Sequence, residues 1–583
     1  MLVIVVFLVT AFIFSLSRGY LNPLSYLLLI FPVFYFAFQF LMGSHFSASW
    51  IKWVSSQGSG FSYWGYYQDS LTSFMILLVV LVFVVVCIFS MEYVGGDPSI
   101  MLFISYLFFF SLFMIILVTA PSGLQMFLGW EGVGLCSYLL INFWSGRVWA
   151  NRSAIKAMVV NKVGDVSLMG ALGALILVIG TTSWVEVSIW PWIGFMACVL
   201  FVIAVMAKSA QILLHFWLPD AMEGPTPVSA LIHAATMVTA GVFLLLRGSA
   251  LWTDLNLNLL LVVLGGITAL YAALSATSQW DYKKIVAYST CSQLGYMVLV
   301  CGFSGYEHSL FHLFNHGFFK ALLFLGAGYT ILIWSDEQDL RRGGGLISRA
   351  PIVYVFALGA SLALIGFPYF SGYYSKEIIL ELLLSNTQMG WGGWMAYLAA
   401  FFTTSYSLKL IWVALLNYPL SSPSYYTPAP FPNFTYYLVV LLIFSLSGGW
   451  YFTNSWPIEK GFPVGIVTYY IPILFLILGS LHSYFSMKFA THSVFRYFLS
   501  YFASLAYLDH LLASLSQIYL HWSFVITYQQ LDLKYLPKHL PHLANQIYPL
   551  YNYNFNLIVS YSLSLFLFAF ILFFFSFLTL PLL

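Results

Sequence analysis

The chain has 583 residues, of which 61% are hydrophobic, 20% aromatic and only 7% charged. Because a soluble protein carries about 25% charged residues, so few charges could not cover a water-facing surface of this size. The composition predicts a polytopic integral membrane protein. It excludes a nucleic-acid-binding protein, a disulfide-stapled secreted domain and a disordered chain.

Long uncharged runs predict an all-α membrane fold of about 16 transmembrane helices, since one helix needs about 20 apolar residues to cross the hydrocarbon core. The predicted spans are 1–17, 24–43, 70–91, 100–120, 123–143, 153–180, 193–219, 227–248, 256–277, 284–303, 308–334, 351–385, 392–416, 434–452, 463–487 and 556–581. The first run lacks the charged start of a secretory signal and the Arg- and Ser-rich character of a transit peptide, so we expect it to be retained.

Basic residues alternate between the predicted loops and so indicate the orientation. Segments after even-numbered spans contain only Lys52 and Lys460. Segments after odd-numbered spans contain Arg18, Arg147, Arg152, Lys283, Lys284, Arg341, Arg342, Arg349, Lys488, Arg496, Lys534 and Lys538. By the positive-inside rule, this second set is expected to face the cytoplasm or matrix.

Residues 489–555 separate the last two predicted spans and mix apolar and aromatic residues with scattered charges. This amphipathic character predicts a lateral helix that lies along the membrane or against partner subunits. The prolines at 537, 541 and 549 would end such a helix.

Two ionisable residues in the first half lie inside predicted spans. Glu131 lies in the glycine-flanked run 127–135, and Lys208 lies deep in the span 193–219. Because intramembrane charges are costly, each is a functional candidate, and a Glu131–Lys208 pair would form a tunable proton site. The alternative for Glu131 is a structural carboxylate that is satisfied by a neighbouring helix.

His312, His316 and Lys320 recur at positions i, i+4 and i+8, which places three titratable groups along one face of a helix. Such a stripe in an apolar helix predicts a proton relay. Two alternatives remain: a metal site, for which a third ligand is lacking, and histidines satisfied by backbone carbonyls.

Lys376 and Glu377 follow a Gly- and Pro-containing stretch with Pro368. An earlier stretch with Pro219 and Pro225 follows Lys208. Gly and Pro at membrane depth predict broken helices, and charges beside such breaks are typical of transporter sites. The two Lys-bearing, interrupted segments suggest an internal repeat.

Other charges have simpler explanations. Lys162 and Asp165, at i and i+3, could neutralise each other. Arg247, on the same span as His233, and Lys409 could extend their charged ends towards the membrane surface. The sequence has no P-loop, Rossmann glycine pattern, haem ligand pair or iron–sulfur cysteine cluster, so this chain is expected to bind no cofactor or metal of its own.

Several motifs together carry a specific resemblance over about residues 60–420. They are Phe127–Leu139, Asn161–Asp165, His215–Met222, Glu223–Gly241, Ala287–Met297, His312–Lys320 and Ser375–Glu377. The chain resembles the antiporter-like membrane subunits of proton-pumping NADH:ubiquinone oxidoreductase (respiratory complex I), in particular the chain 5 family. The wider family includes subunits of Mrp-type cation/proton antiporters.

The resemblance implies two inverted five-helix repeats, each with a discontinuous helix, around a hydrated axis in the membrane plane. It implies that Glu131 and Lys208 form the first pair, with Asp165 modulating it, and that Lys376 and Glu377 form the exit site. The central relay would contain His233, Lys283 or Lys284, His312, His316 and Lys320.

These expectations combine into a domain plan. It has N-terminal helices in 1–99, a first antiporter-like repeat in 100–250, a second repeat in 251–418, additional helices in 419–488, the lateral helix in 489–555 and a C-terminal anchor in 556–583.

The expected function is proton translocation by a membrane-arm subunit of complex I, as part of an NADH:ubiquinone reductase but without redox chemistry of its own. NADH, FMN, iron–sulfur clusters and ubiquinone would be bound by partner subunits. Alternatives are an Mrp-type sodium/proton antiporter subunit and a structural clamp that does not pump.

The expected partners are other membrane-arm subunits, including the neighbouring antiporter-like chain. Cardiolipin is a candidate membrane-lipid partner, and no nucleic acid is expected. The expected location is the mitochondrial inner membrane, with an organelle-encoded, multi-pass chain whose basic loops face the matrix.

Overall fold

The computed structural model describes residues 46–54, 61–179, 191–234, 236–249, 257–385, 390–416, 436–455, 474–475 and 477–483. The predicted spans 1–17, 24–43 and 556–581, the lateral helix 489–555 and most of the span 463–487 lie outside the described residues.

Helices dominate the described part of the chain. They are α1 (Ser70–Tyr93), α2 (Ile100–Val118), α3 (Gly123–Ile141), α4 (Val148–Ile179), α5 (Pro191–Lys208), α6 (Trp217–Asp220), α7 (Thr226–Ala234), α8 (Met237–Arg247), α9 (Asn258–Ser278), α10 (Tyr282–Gly302), α11 (Tyr306–Ile333), α12 (Leu346–Arg349), α13 (Pro351–Ile365), α14 (Ser371–Ser385), α15 (Gly390–Leu410) and α16 (Tyr436–Ser455). A 3-10 turn (Ala221–Glu223) follows α6, and a π-helical turn (Ile411–Leu416) extends α15.

Nine helical stretches in the described part are long and apolar enough to cross a membrane. One of them runs through both α7 and α8. Two shorter apolar helices, Phe195–Lys208 and Pro351–Ile365, accompany them. The predicted multi-pass, helical membrane fold is therefore confirmed at this level.

A β-hairpin precedes the bundle, which the all-α prediction did not include. Strands β1 (Phe46–Val54) and β2 (Phe61–Gln68) pair antiparallel, with a register irregularity between Ser49 and Ile51. The side-chain amide of Gln125 holds β2 to α3, because it bonds to both the N–H and the C=O of Gly65 at 2.9 Å.

The start of α1 is fixed by a capping box. The Asp69 carboxylate accepts from the Thr72 N–H at 2.9 Å, and the Asp69 N–H donates to the Thr72 hydroxyl at 2.8 Å. Two of the backbone groups at the helix end are thereby satisfied. Arg247, at the end of α8, also pairs with Asp69 at 2.6 Å and so joins two distant segments.

The long helix α11 lies at the centre of the described bundle. It packs against α1, α7, α10, α13, α14 and α16. Its residues from Ser309 to Ile331 are all buried. The ionisable side chains within this buried part of α11 are therefore surrounded by other helices.

Interruptions divide three of the predicted continuous spans. The span 193–219 stops at Lys208, and positive φ angles at Ala210 (49°) and Leu213 (76°) take the chain out of the helix. This interruption lies before Pro219, which belongs to the one-turn helix α6. Apolar length alone could not locate such a break, because the residues at it are compatible with a helix.

The other two interruptions lie in the later spans. The span 227–248 contains the end of α7 at Ala234 and the start of α8 at Met237. The span 351–385 divides into α13 and α14 around Pro368, with Gly366 at φ 85°. Gly tolerates this left-handed conformation without a steric cost.

Candidate functional site

Four charged side chains meet where α3, α4 and α5 pack together. Lys162 Nζ lies 2.5 Å from the Glu131 carboxylate and 3.4 Å from Asp165. Lys208 Nζ lies 3.9 Å from the other oxygen of Asp165. The order in space is therefore Glu131, Lys162, Asp165 and Lys208.

This order differs from the direct Glu131–Lys208 pair expected from the sequence. Within the described residues, the ion pair of Glu131 is with Lys162, and that of Lys208 is with Asp165. Lys162 therefore does more than neutralise its neighbour on α4. Sequence spacing could not show this, because the partners belong to three different helices.

Lys208 is almost fully enclosed, with 1% of its surface exposed. Its ammonium group donates to the Trp130 carbonyl at 3.2 Å and lies 5.4 Å from the centre of the Trp130 ring. A Cβ at Gly134 would approach Lys208 Nζ to 3.0 Å. The glycine on α3 thus leaves the room in which the ammonium group is held.

The segment after Lys208 is tied to the second half of the chain. Gln211 donates to the Ser209 carbonyl at 3.1 Å and accepts from the Thr268 hydroxyl of α9 at 2.7 Å. The indole N–H of Trp217 donates to the Ala207 carbonyl at 3.0 Å. These bonds satisfy polar groups exposed by the broken helix, as a low-dielectric interior requires.

Two more predicted residues lie between the halves. His233 is buried between aromatic rings, with ring-centre distances of 6.1 Å to Trp217 and 5.8 Å to Phe324. Lys283 is also buried, and its ammonium group donates to the Gly224 carbonyl at 3.5 Å. Lys284 instead lies in a partly exposed pair with Asp281, so Lys283 is the inward-facing lysine of the two.

The predicted stripe on α11 is fully buried, since His312, His316 and Lys320 each have 0% exposure. His312 bonds through Nδ1 to Ser375 Oγ at 2.9 Å and through Nε2 to Gln293 Oε1 at 3.2 Å. The metal alternative is weakened, because both ring nitrogens of His312 are already engaged and the described residues contain no cluster of three metal ligands.

The remaining members of the stripe differ in their partners. Lys320 donates to the Ser289 hydroxyl and forms no ion pair within the described part of the chain. His316 lies with its ring centre 6.3 Å from that of His312. Neither ring nitrogen of His316 has a hydrogen-bond partner among the described residues.

Lys376 is placed by the break between α13 and α14. Its ammonium group donates to the Leu364 carbonyl and lies 3.5 Å from both the Ile365 carbonyl and the Thr403 hydroxyl. The C-terminal carbonyls of a helix carry partial negative charge and so stabilise a cation. Glu377 accepts from the Tyr373 hydroxyl at 3.0 Å.

A small cavity adjoins this break and is lined by Lys376, Glu377, Tyr373, Thr403 and Phe475, among others. It places the charged groups of Lys376 and Glu377 and three hydroxyl groups, those of Tyr373, Thr403 and Thr404, around one space. The cavity is therefore polar enough to support water between them.

Several polar partners of the titratable groups are not among the residues predicted from the sequence. They are Ser289, Gln293 and Ser375, all buried in apolar helices. One signal was available: the run Ser289–Gln293 places three hydroxyl-bearing residues and an amide within one predicted span. Uncharged polar residues are too frequent in membrane helices for that signal to have been specific.

Lys409 was expected to extend to the membrane surface but lies against a helix end. Its ammonium group donates to the carbonyls of Thr277 at 2.9 Å and Gln279 at 2.7 Å. It also lies 3.9 Å from the centre of the Trp280 ring. It caps the C-terminus of α9.

Comparison with known protein families gives one model that covers residues 120–407, described as NADH:quinone oxidoreductase/Mrp antiporter, transmembrane. The matched region contains every charged or histidine residue selected from the sequence. It also contains both broken helices that carry lysine.

The chain is similar to proteins named NADH-ubiquinone oxidoreductase chain 5. It is 49% identical to that of Metridium senile over 382 residues, which is 64% of each chain. It is 49% identical to that of Chondrus crispus over 64% of this chain and 59% of that one. It is 40% identical to that of Arabidopsis thaliana over 531 residues, 82% of this chain and 79% of that one.

The chain thus spans a little less than two thirds of the length of the first two of these relatives. Among solved structures, the Mrp complex from Dietzia sp. DQ12-45-1b matches 88% of this chain and 60% of that chain, with a TM-score of 0.74 and 24% identity. An archaeal membrane-bound sulfane sulfur reductase matches 82% of this chain and 98% of that chain, with a TM-score of 0.69 and 18% identity. These two likenesses show a shared fold.

Proposed function

The chain belongs to the chain 5 family of NADH-ubiquinone oxidoreductase, within the wider group of antiporter-like membrane subunits, and from this we propose that it translocates protons in the membrane arm of respiratory complex I. The observation that carries the proposal is a series of enclosed titratable groups that runs through both halves of the described chain. It comprises seven buried groups, Asp165, Lys208, His233, Lys283, His312, His316 and Lys320, and ends at the half-buried Lys376.

In the first half, the proposal rests on the alternation of charges. Asp165 lies between two ammonium groups, at 3.4 Å from Lys162 and 3.9 Å from Lys208. When Lys162 moves towards Glu131, Asp165 is left to stabilise the charge on Lys208. When Lys162 moves back, that stabilisation weakens and Lys208 releases its proton more readily. Movement of the Lys162 ammonium group would thus change the protonation of Lys208.

In the second half, proton movement would follow the α11 stripe towards Lys376. The ammonium groups of Lys320 and Lys376 are solvated by hydroxyl and carbonyl oxygens, which are weaker partners than a carboxylate. An ammonium group with such partners releases its proton at a lower free-energy cost than one held in a tight ion pair does. Water in the small cavity would complete the path past Glu377.

A neighbouring membrane subunit is part of the proposal. The side chains of Glu131 and Lys162 are 38% and 40% exposed on the surface of this chain. An ion pair exposed to lipid at this depth would be expensive, so we expect a protein partner to cover it. The neighbouring antiporter-like subunit is the proposed partner. Cardiolipin is the proposed lipid at the edge of the interface between the two subunits.

Electron transfer would take place elsewhere in the assembly. NADH, FMN, iron–sulfur clusters and ubiquinone are proposed to be bound by partner subunits, so that this chain serves an NADH:ubiquinone reductase without redox chemistry. The proposed location is the mitochondrial inner membrane, with an organelle-encoded chain whose basic loops face the matrix.

The test uses the intact complex in sealed membrane vesicles. We expect this chain to co-purify with NADH oxidation activity, and NADH oxidation to drive proton uptake into the vesicles. Purification of the chain without that activity, together with sodium-for-proton exchange, would support the Mrp-type antiporter instead. If the enclosed lysines were replaced by neutral residues and the complex still pumped protons at its normal rate, the structural-clamp alternative would be supported instead.

A matched pair of variants tests the charge alternation. Asp165→Asn keeps the side-chain shape but leaves Lys208 without its carboxylate, and we expect about tenfold slower proton uptake. Asp220→Asn makes the same change in the partly exposed Lys156–Asp220 pair, and we expect an effect within about twofold. Equal rates for the two variants would contradict the proposed role of Asp165.

A further inference from the structure

Asn315 on α11 is fully enclosed, with 0% exposure, yet neither atom of its side-chain amide has a hydrogen-bond partner among the described residues. The amide offers two N–H donors and one carbonyl acceptor. Leaving such a group unbonded in an apolar interior is costly, and nearly all buried polar groups in proteins bond to protein or to ordered water. The side chain therefore indicates a small ligand that both donates and accepts hydrogen bonds.

A glycine of α16 provides the room for such a ligand. A Cβ added to Gly448 would lie 3.5 Å from Asn315 Oδ1. Apart from its own stretch of α16, it would meet no other described atom within 4 Å. Gly448 is buried, so this room lies inside the bundle and not at its outer surface. A water molecule is no larger than the methyl group that would fit there.

Two aromatic pairs bound the same place. The rings of Phe314 and Phe452 have centres 4.6 Å apart. Those of Phe318 and Phe444 have centres 4.7 Å apart. Phe444 and Phe452 each lie four residues from Gly448, so all three project from one face of α16. We call the space between the two ring pairs the α11–α16 compartment. Because its walls are apolar, a ligand in it must be held by the few polar groups nearby.

Ser445 is a second polar group on this side of α16. It precedes Gly448 by three residues and is fully buried. Its hydroxyl donates to the Leu442 carbonyl at 2.8 Å, which leaves the oxygen lone pairs able to accept. A water bonded to the Asn315 amide therefore has a second polar group about one helical turn away. Buried waters in proteins are held by several such groups.

The compartment adjoins the stripe of titratable groups on α11. Asn315 directly precedes His316 and follows His312 by three residues, so its amide lies within about one helical turn of both. Neither ring nitrogen of His316 has a hydrogen-bond partner among the described residues, so its charged form would depend on polar groups nearby. The phenyl rings that α16 places against α11 provide no such group.

We propose that the α11–α16 compartment binds an ordered water on Asn315, and that this water supplies a dipole that helps His312 and His316 to carry a proton at membrane depth. The role in proton movement rests on the function proposed above. Asn315 itself stays neutral and is a positioning residue, since it orients the water and exchanges no proton. The inference adds α16, which follows the predicted second repeat, to the second-half path.

The first experiment locates the water in a cryo-EM map of the intact complex that shows ordered water elsewhere in the bundle. We expect a peak about 2.6–3.2 Å from the Asn315 amide. Gly448→Ala should remove it, because the added methyl group would occupy the same position. Gly326→Ala is the matched control and should keep it, because the new Cβ meets only Ala357, at 3.9 Å, in the interior of α11.

Two results from the native map would overturn the inference. One is the absence of a peak beside Asn315. The other is a protein side chain, from this chain or a partner subunit, that bonds to the amide in place of water.

The second experiment measures NADH-driven proton uptake by the same variants in sealed vesicles. We expect Gly448→Ala to be about fivefold slower, the factor typical of one lost hydrogen bond. Gly326→Ala should pump within about twofold of the native rate. Native uptake by Gly448→Ala in spite of a lost peak would overturn the role of the water, as would equal slowing by the two glycine variants.

Asn315→Leu decides the question if Gly448→Ala does not assemble. Leucine is similar in size but has no group that could bind water, so we expect the peak to disappear and uptake to slow about fivefold. Native uptake would overturn the inference. A higher Tm of the complex would also do so, because replacing an unbonded amide by an apolar side chain is stabilising. A native complex that holds the water but shows no NADH-driven uptake would overturn the proposed function and leave the water site in place.

Discussion

At the residue scale, each titratable group is defined by what surrounds it rather than by its type. Lys208, Lys320 and Lys376 are all lysines in apolar helices, yet their partners are a carboxylate, a hydroxyl and helix-end carbonyls. These partners stabilise an ammonium group to different degrees. A path built from them can therefore favour different charge states at successive positions.

Two adjacent lysines give a residue-scale prediction. Lys283→Met removes an enclosed ammonium group near the first broken helix, and we expect about tenfold slower proton uptake. Lys284→Met removes a partly exposed partner of Asp281 and should change the rate by less than about twofold. NADH-driven uptake in vesicles measures both, and a larger effect at Lys284 would contradict the assignment of Lys283 to the path.

At the scale of elements, both lysines lie beside a broken helix, but the break supplies ligands to only one of them. Lys376 contacts the carbonyl end of α13, whose carbonyls a continuous helix would satisfy internally. Lys208 is the last residue of α5, and its ammonium group is held instead by Asp165 and by the Trp130 carbonyl of the continuous helix α3.

The turn at Gly366 gives a prediction at this scale. Its φ of 85° is costly for a residue with a side chain, so Gly366→Ala should destabilise the break by about 1–2 kcal/mol. We expect faster amide hydrogen exchange around residues 364–376. Gly326→Ala, in the interior of α11 with no atom closer than 3.9 Å to a new Cβ, should leave exchange unchanged or slower.

At the scale of the whole molecule, the distribution of charge serves two separate purposes. Charges in the loops carry the predicted orientation of the chain, and charges in the bundle are paired or hydrogen-bonded to polar groups. The loop after α11 belongs to the first class: Arg341 bonds to Asp339 and thereby lowers the pKa of that carboxyl group. The side chains of Arg341 and Arg342 in this loop are 60% and 68% exposed.

The exposed loop allows a test of orientation. We expect trypsin to cleave after Arg341 or Arg342 in vesicles whose matrix face is outward. Mitoplasts, which present the opposite face, should be protected. Immunodetection of the fragments gives the result. Cleavage in mitoplasts alone would show that the basic loops face the other side.

The sequence by itself determined the membrane class, the family and the identity of most titratable candidates. Hydrophobic length and charge scarcity are local properties, and a helix in lipid satisfies its backbone internally, so each span is recognisable without its neighbours. For the same reason, the i, i+4, i+8 spacing placed His312, His316 and Lys320 on one buried face before any packing was known.

The tertiary structure alone decided which groups meet. The pairing of Glu131 with Lys162 and the inward position of Lys283 depend on contacts between separate segments of the chain. It also placed the first interruption just after Lys208, where Gln211 and Thr268 satisfy the exposed polar groups. Partner choice is a property of packing, and a single sequence records composition and spacing but not which faces touch.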